Sequence, residues 1–365
     1  MAEIRVQNLE KKFGEFTAVK DLSFTIPDGS FFCLLGASGC GKTTTLRMIA
    51  GLELPTSGSI FLGGQDVAFK RASERDIAFV FQLFALYPHM NVRKNIAFPL
   101  LSQGVPKTEI KQRVEETAKL LRIDHILDKS VSGLAGGDRQ RVALGRAIVR
   151  RPLAFLMDEP LGTLDAEFRD LMCEELVHLH KRINATTVYV THDQLEAMSM
   201  ANYIAIMNCG MIEQLGTPQA IYDHPASMYV AEFVGSPAMN LIHLESRLAK
   251  GATSVDVSGA KVSIPQTREA SLNGQIVLGA RPEHVRFDDA SKFRGEIQGV
   301  EYMGTTQIIT VGVAQGKIKS RMPSSARASI GEHVGLAFMG DRLSIFDKAT
   351  GRAINTALYE GTNNG

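Results

Sequence analysis

The sequence predicts an α/β core followed by a small all-β domain, and three observations carry that prediction. From residue 1 to about 235, short β-branched or apolar runs alternate with longer helical patterns, as at Ser30–Leu35, Ile77–Phe81, Leu153–Met157 and Thr187–Thr191. Such alternation marks a buried, largely parallel sheet covered by helices. From about Pro237 the texture changes to short strands broken by Gly and Pro, among them Ser254–Val257, Lys261–Ile264, Gln275–Gly279, Ile308–Val313 and Val334–Phe338. That texture belongs to a small barrel or sandwich. Third, the glycine-rich segment GASGCGKTT, starting at Gly36, joins the apolar run Phe31–Leu35 to a helical stretch, Thr44–Ala50.

A length of 365 residues suits two domains, each able to bury a core. The stretch Val234-Gly235-Ser236-Pro237 reads as the hinge, dividing residues 1–235 from 236–355, and the polar end Glu360–Gly365 makes 356–365 a loose tail. A net charge of +1 gives no global electrostatic case for binding nucleic acid or an anionic membrane. No basic or aromatic stripe in the second domain suggests nucleic acid either. No apolar run approaches the roughly eighteen residues of a membrane helix, and the start MAEIRVQNLEKKFG lacks the apolar core of a secretory signal. A cytoplasmic chain is the expectation. Cys33, Cys40, Cys173 and Cys209 show no CxxC pair or His spacing, which points to reduced thiols rather than zinc.

The Gly36 segment fits the phosphate-loop pattern G-x-x-x-x-G-K-[ST] with Gly36, Gly41, Lys42 and Thr43, and it has the strand-to-helix context the pattern requires. Glycines let the backbone of Ala37, Ser38, Gly39 and Cys40 curl into a nest whose N–H groups, with the helix start at Thr43 and Thr44, point at phosphate oxygens. Lys42 then reaches the terminal phosphates and Thr43 offers its hydroxyl to magnesium, so ATP with Mg2+ is the expected cofactor. Such a loop needs an acidic partner on a second strand. The run LAFLMDEP, Leu153–Pro160, supplies Asp158 to hold the metal and Glu159 to polarise an attacking water.

With these motifs the chain resembles the ABC transporter ATP-binding family, in the branch serving carbohydrate and polyol importers of the maltose type. The resemblance spans nearly the whole length. Beyond the loop and the acidic strand it rests on Gln82 in FVFQLFALYPHMNVRKNI, AGGDRQRVALGRAI from Ala135, Leu164-Asp165, His192 in YVTHDQLEAM, and LGARPEHVRF at Leu278–Phe287. It implies a P-loop ATPase core with a helical subdomain at about 83–150, then an OB-like regulatory and dimerisation domain. By the same resemblance, Gln82 touches magnesium and the attacking water, His192 contacts the γ-phosphate, and Phe13 stacks on adenine. Asp165 orders the contact between two ATPase subunits.

One element departs from the family pattern. Its signature is usually LSGGQ, and aligning on the following Arg-Gln-Arg-Val-Ala places Leu134-Ala135-Gly136-Gly137-Asp138 there, with Ala135 in place of the serine. In ABC dimers this segment closes over ATP held by the other subunit, so the change weakens this chain's contribution to its neighbour. A heterodimer with a second ATPase subunit bearing an intact signature is therefore favoured over a homodimer. The resemblance further implies two membrane permease subunits docking near Gln82 and Leu83–Ile96, where Leu86, Tyr87, Pro88 and Met90 offer apolar contact. A solute-binding protein takes part indirectly. The site would be at the cytoplasmic face of the membrane, and the cargo would be a sugar, polyol, glycerol or glycerol phosphate. A mainly structural subunit and a soluble non-transport ABC ATPase are the alternatives.

Overall fold

The computed structural model describes residues 2–81, 85–162, 164, 166–271 and 274–359. The chain divides into two compact units, Met1–Ile212 and Glu213–Gly365. The boundary thus comes earlier than the hinge read near residue 235.

The first unit contains two sheets. Strands β1 (Ile4–Phe13), β2 (Phe16–Ile26), β4 (Ser57–Leu62) and β5 (Gln65–Asp66) form an antiparallel sheet in the order β2-β1-β4-β5. The second sheet is built from β3 (Phe31–Gly36), β6 (Ile77–Val80), β7 (Ala154–Asp158), β8 (Thr186–Thr191) and β9 (Tyr203–Asn208) in the order β9-β3-β8-β7-β6, and β10 (Met211–Gly216), which begins at the end of this unit, continues it beside β9. Its inner pairs are parallel, with Leu35 opposite Thr191 and Asp158 opposite Val190. Every residue of β3, β7 and β8 is buried, which is why these strands read as continuous apolar runs rather than alternating ones. The register brings the C-terminal ends of β3, β7 and β8 side by side, the place where open parallel sheets bind ligands.

Helix α1 (Lys42–Ala50) follows β3 directly, two residues earlier than the sequence suggested. Its C-terminal end is held by Arg75, only 1% exposed, whose guanidinium donates to the carbonyls of Met48, Ile49, Ala68 and Lys70. Helices α2 (Val92–Ser102), α3 (Lys107–Leu120) and α4 (Gly136–Ile148) lie between β6 and β7 and make the expected helical subdomain. Helices α5 (Ala166–Ile183) and α6 (Gln194–Met200) flank β8 in sequence. Among the described residues, no helix is long and apolar enough to cross a membrane.

The second unit opens with two short helices, Pro218–Asp223 and Met228–Phe233, followed by strands. These form a three-stranded sheet, a hairpin Ser254–Val257 with Ala260–Ser263, and a five-stranded antiparallel sheet that includes Thr306–Val313 and His333–Phe338. All surround one apolar core, which includes Ile242, Val257, Leu278, Ile297, Val311 and Ile345. The two helices belong here because Arg281, 2% exposed, donates to the carbonyls of Tyr222, Ala231 and Val234. Residues 356–359 are not part of a loose tail: Thr356 is fully buried, and the Tyr359 hydroxyl donates to the Pro225 carbonyl.

Candidate nucleotide site

The loop after β3 is shaped by close approach. A Cβ on Gly36 would lie 2.3 Å from the Met207 carbonyl oxygen, and one on Gly41, held at φ 105°, would lie 2.7 Å from that of Ala18. Neither position accepts a side chain. Gly39, at φ 79°, has nothing within 4 Å of its missing Cβ, so the loop is open on that side. Helix α1 starts at Lys42 behind Gly41 with no side chain capping it, and its first-turn amides have no acceptor within the helix. Uncapped amides beside an open glycine turn make an anion cradle.

Lys42 is 4% exposed, and its ammonium donates to the carbonyls of Gly36 and Ala37 at 2.8 Å each. The loop therefore wraps its own cation, which presents a fixed positive charge within the cradle. The Cys40 sulfur lies 3.8 Å from that ammonium, and burial pushes its thiol pKa up. Cys40 thus lines the loop as a neutral group.

Thr43 donates its hydroxyl to Asp158 at 2.8 Å, joining the first turn of α1 to the end of β7. The Asp158 carboxyl is pushed up by burial, with the Thr43 hydrogen bond and the charges of Arg47 and Lys42 opposing. A hydroxyl and a carboxylate in contact form an oxygen pair of the kind hard divalent cations take. Among the described residues no three His, Cys, Asp or Glu side chains cluster to hold a metal unaided.

Glu159 sits one residue past Asp158 at φ 43°, a left-handed conformation uncommon for a residue with a side chain. Its amide donates to Val190, and the turn sends its side chain away from Asp158 towards the end of β8. There Oε2 lies 3.3 Å from Nδ1 of His192, whose side chain is 60% exposed against 22% for Glu159. The strain of the turn is the kind that persists at functional sites. Asp193 caps α6 by accepting from the amides of Leu195 and Glu196, fixing the chain immediately after His192. Sequence reasoning did not single out Asp193, although an Asp opening a helical run is an N-cap signal.

Phe13 is 48% exposed at the end of the β1–β2 hairpin, with the Lys11 ammonium 4.7 Å from its ring centroid. It is a surface ring, free to meet a flat ligand. Ala135 is the N-cap of α4, in extended conformation and with no side-chain cap bond. Asp138 points along its own helix to Arg141, 3.7 Å away. Gln82 and Asp165 lie outside the described residues.

Residues 19–162 match the ABC transporter family, residues 235–285 the MalK OB fold domain, and residues 278–346 the TOBE domain. Over 97% of this chain and the full length of the relative, the sequence is 44% identical to the trehalose/maltose import ATP-binding protein MalK of Thermococcus litoralis. This chain belongs to the ABC transporter family. Within it, the ABC subunit is 42% identical to the trehalose import ATP-binding protein SugC of Mycobacterium tuberculosis, covering 96% of this chain and 98% of the relative. It is 41% identical to the sn-glycerol-3-phosphate import ATP-binding protein UgpC of Cereibacter sphaeroides, over 97% and 100%. A solved structure of cbiO1 from Clostridium perfringens, part of the ABC transporter complex cbiONQ, superposes with a TM-score of 0.56 at 26% identity, covering 60% of this chain and 89% of that one. The ABC subunit is thus an ATPase, with the family's ATP-binding core followed by an OB and TOBE β-rich domain.

Proposed function

We propose that this chain hydrolyses Mg2+-ATP to drive an ABC importer for a sugar, polyol, glycerol or glycerol phosphate. The observation that carries the proposal is the meeting of two pairs beside the Lys42 loop: Thr43 with Asp158, and Glu159 with His192. In this reading Thr43 and Asp158, with Gln82, hold Mg2+, which offsets charge on the transferring phosphoryl group. Glu159 takes a proton from the attacking water, His192 holds the γ-phosphate end, and Phe13 carries the adenine. The relatives import trehalose, maltose and glycerol 3-phosphate by their names, which supports the cargo class.

The assembly places the chain at the cytoplasmic membrane face beneath two permease subunits, with a solute-binding protein acting through them. The permease contact is a groove lined by Phe79, Phe98 and Pro99 beside Tyr87, whose ring is tilted against Phe98 and has the Arg146 guanidinium over it. Asp165 meets a second ATPase subunit, and that subunit carries an intact signature. Ala135 lacks a donor that a signature serine gives to the partner's ATP. A hydrogen bond to a charged group is worth about 1.5–3 kcal/mol, or roughly tenfold to a hundredfold in rate.

A slow homodimer is the second reading. It is favoured by the engagement of Asp138 with Arg141 and by the uncapped α4 amides at Gly136 and Gly137, which keep part of the anion site. ATP hydrolysis by the pure chain beside an Ala135→Ser variant tests whether the altered signature calls for a second kind of subunit at all. The heterodimer predicts that the variant turns over about ten times faster or more. Equal turnover removes the reason for a second kind of subunit. The substitution also supplies an N-cap to α4, so Tm is measured in parallel to separate stabilisation from turnover.

A further inference from the structure

Two segments around His192 meet at one guanidinium. Arg169, in the first half of α5, donates from Nη2 to the Leu164 carbonyl at 3.0 Å and from Nη1 to Asp193 Oδ2 at 3.2 Å. Its Nε lies 3.6 Å from Glu196 Oε1, an ion-pair contact without a hydrogen bond. Glu196 has a side chain 5% exposed, and its other oxygen accepts from the Tyr189 hydroxyl at 2.8 Å and from the Thr191 hydroxyl at 2.7 Å. Thr191 in turn accepts from the amide of Asp193 at 2.9 Å. Both chain neighbours of His192 are therefore held, Thr191 through Glu196 and Asp193 through Arg169. The same Arg169 grips Leu164, in the segment that leaves Glu159.

We infer that Arg169 is a positioning residue for hydrolysis: it ties the His192 turn to the segment after Glu159, so that His192 faces the γ-phosphate in one orientation. A planar fork suits this task, because its donors address acceptors on separate segments at once. A lysine in its place offers a point charge on a flexible stem, which holds neither acceptor in a fixed geometry. The cost of holding a buried carboxylate here supports a purpose beyond packing. Burial raises the Glu196 carboxyl and Asp193 raises it further, while the hydroxyls of Thr191 and Tyr189 and the charge of Arg169 lower it. The network exchanges nothing with the substrate; it acts through His192.

The inference rests on the assignment of His192 to the γ-phosphate, and the test keeps the two apart. ATP hydrolysis and equilibrium binding of a non-hydrolysable ATP analogue are measured for the full chain, alone and assembled with its membrane subunits, with Arg169→Met, Arg169→Lys, His192→Ala and the double variant. Arg169→Met is expected to lower kcat about tenfold or more while analogue affinity stays within about twofold, and Arg169→Lys to recover part of the loss. In the His192→Ala background the Arg169→Met change is expected to cost less than about twofold further, because the two act as a unit. Equal losses in both backgrounds would overturn the inference, as would a fall in affinity and Tm in step with kcat. Unchanged kcat in His192→Ala would sink the His192 assignment and this role of Arg169 with it.

Discussion

Asp158 answers two opposed demands. Its carboxylate must stay charged beside Thr43 to serve a cation, yet it is 8% exposed at the end of a buried strand, and burial favours the neutral form. Sites arranged in this way trade stability for activity. Asp158→Asn, which can still accept from Thr43, is expected to raise Tm of the metal-free chain by about 2–4 °C, the shift roughly 1 kcal/mol makes in a unit of this size. Hydrolysis is expected to fall at least a hundredfold. Thermal melting of the metal-free chain and a steady-state ATPase assay check the two, and an unchanged or lower Tm would contradict the account of strain at this position. Glu159 shows the same economy in its backbone, since a left-handed turn separates its side chain from that of Asp158. Lys42, Thr43, Asp158 and Glu159 were legible from sequence because each follows an apolar run at fixed spacing. Arg169 and Glu196 were not, because their meaning lies in partners on other segments.

At the scale of elements, α1 carries the cradle at one end and depends on Arg75 at the other. Burial depresses the Arg75 guanidinium to about 10, still fully charged near neutrality, so five donors remain aimed at four carbonyls. Arg75→Met leaves those carbonyls without donors and is expected to cost about 3 kcal/mol, lowering Tm by roughly 6–12 °C. Nucleotide affinity should weaken in proportion as α1 loosens; a variant that melts like the parent would show that water replaces the guanidinium. The strands β3, β7 and β8 were readable because burial on both faces leaves no polar alternation. The antiparallel sheet escaped the same reading. In β1 the pattern IRVQNLEKKF alternates only in part, since register shifts between Val6 and Leu9 and beyond break the period of two.

Across the whole molecule, the boundary at Ile212 follows from packing that the hinge composition does not reveal. The helices Pro218–Asp223 and Met228–Phe233 precede the glycine-proline hinge, yet Arg281, Gly351 and Tyr359 hold them from the far end of the chain. A fragment ending at residue 235 therefore carries two helices without their partners. Limited proteolysis is expected to trim that fragment back towards Ile212 while leaving the same stretch intact in the full chain. Equal protection in both would place the boundary at the hinge. The buried Tyr359 was equally hidden, because its partner Pro225 is distant in the chain.

The central claim is that this ABC subunit's own loop, Glu159 and His192 form a hydrolytic site. Steady-state ATP hydrolysis by the full chain, measured beside ATP affinity for Glu159→Gln, tests it most directly. The account predicts affinity within about twofold of the parent and hydrolysis reduced about a hundredfold or more, since the carboxamide keeps the shape but cannot take the proton. Hydrolysis by Glu159→Gln at the parental rate would contradict it.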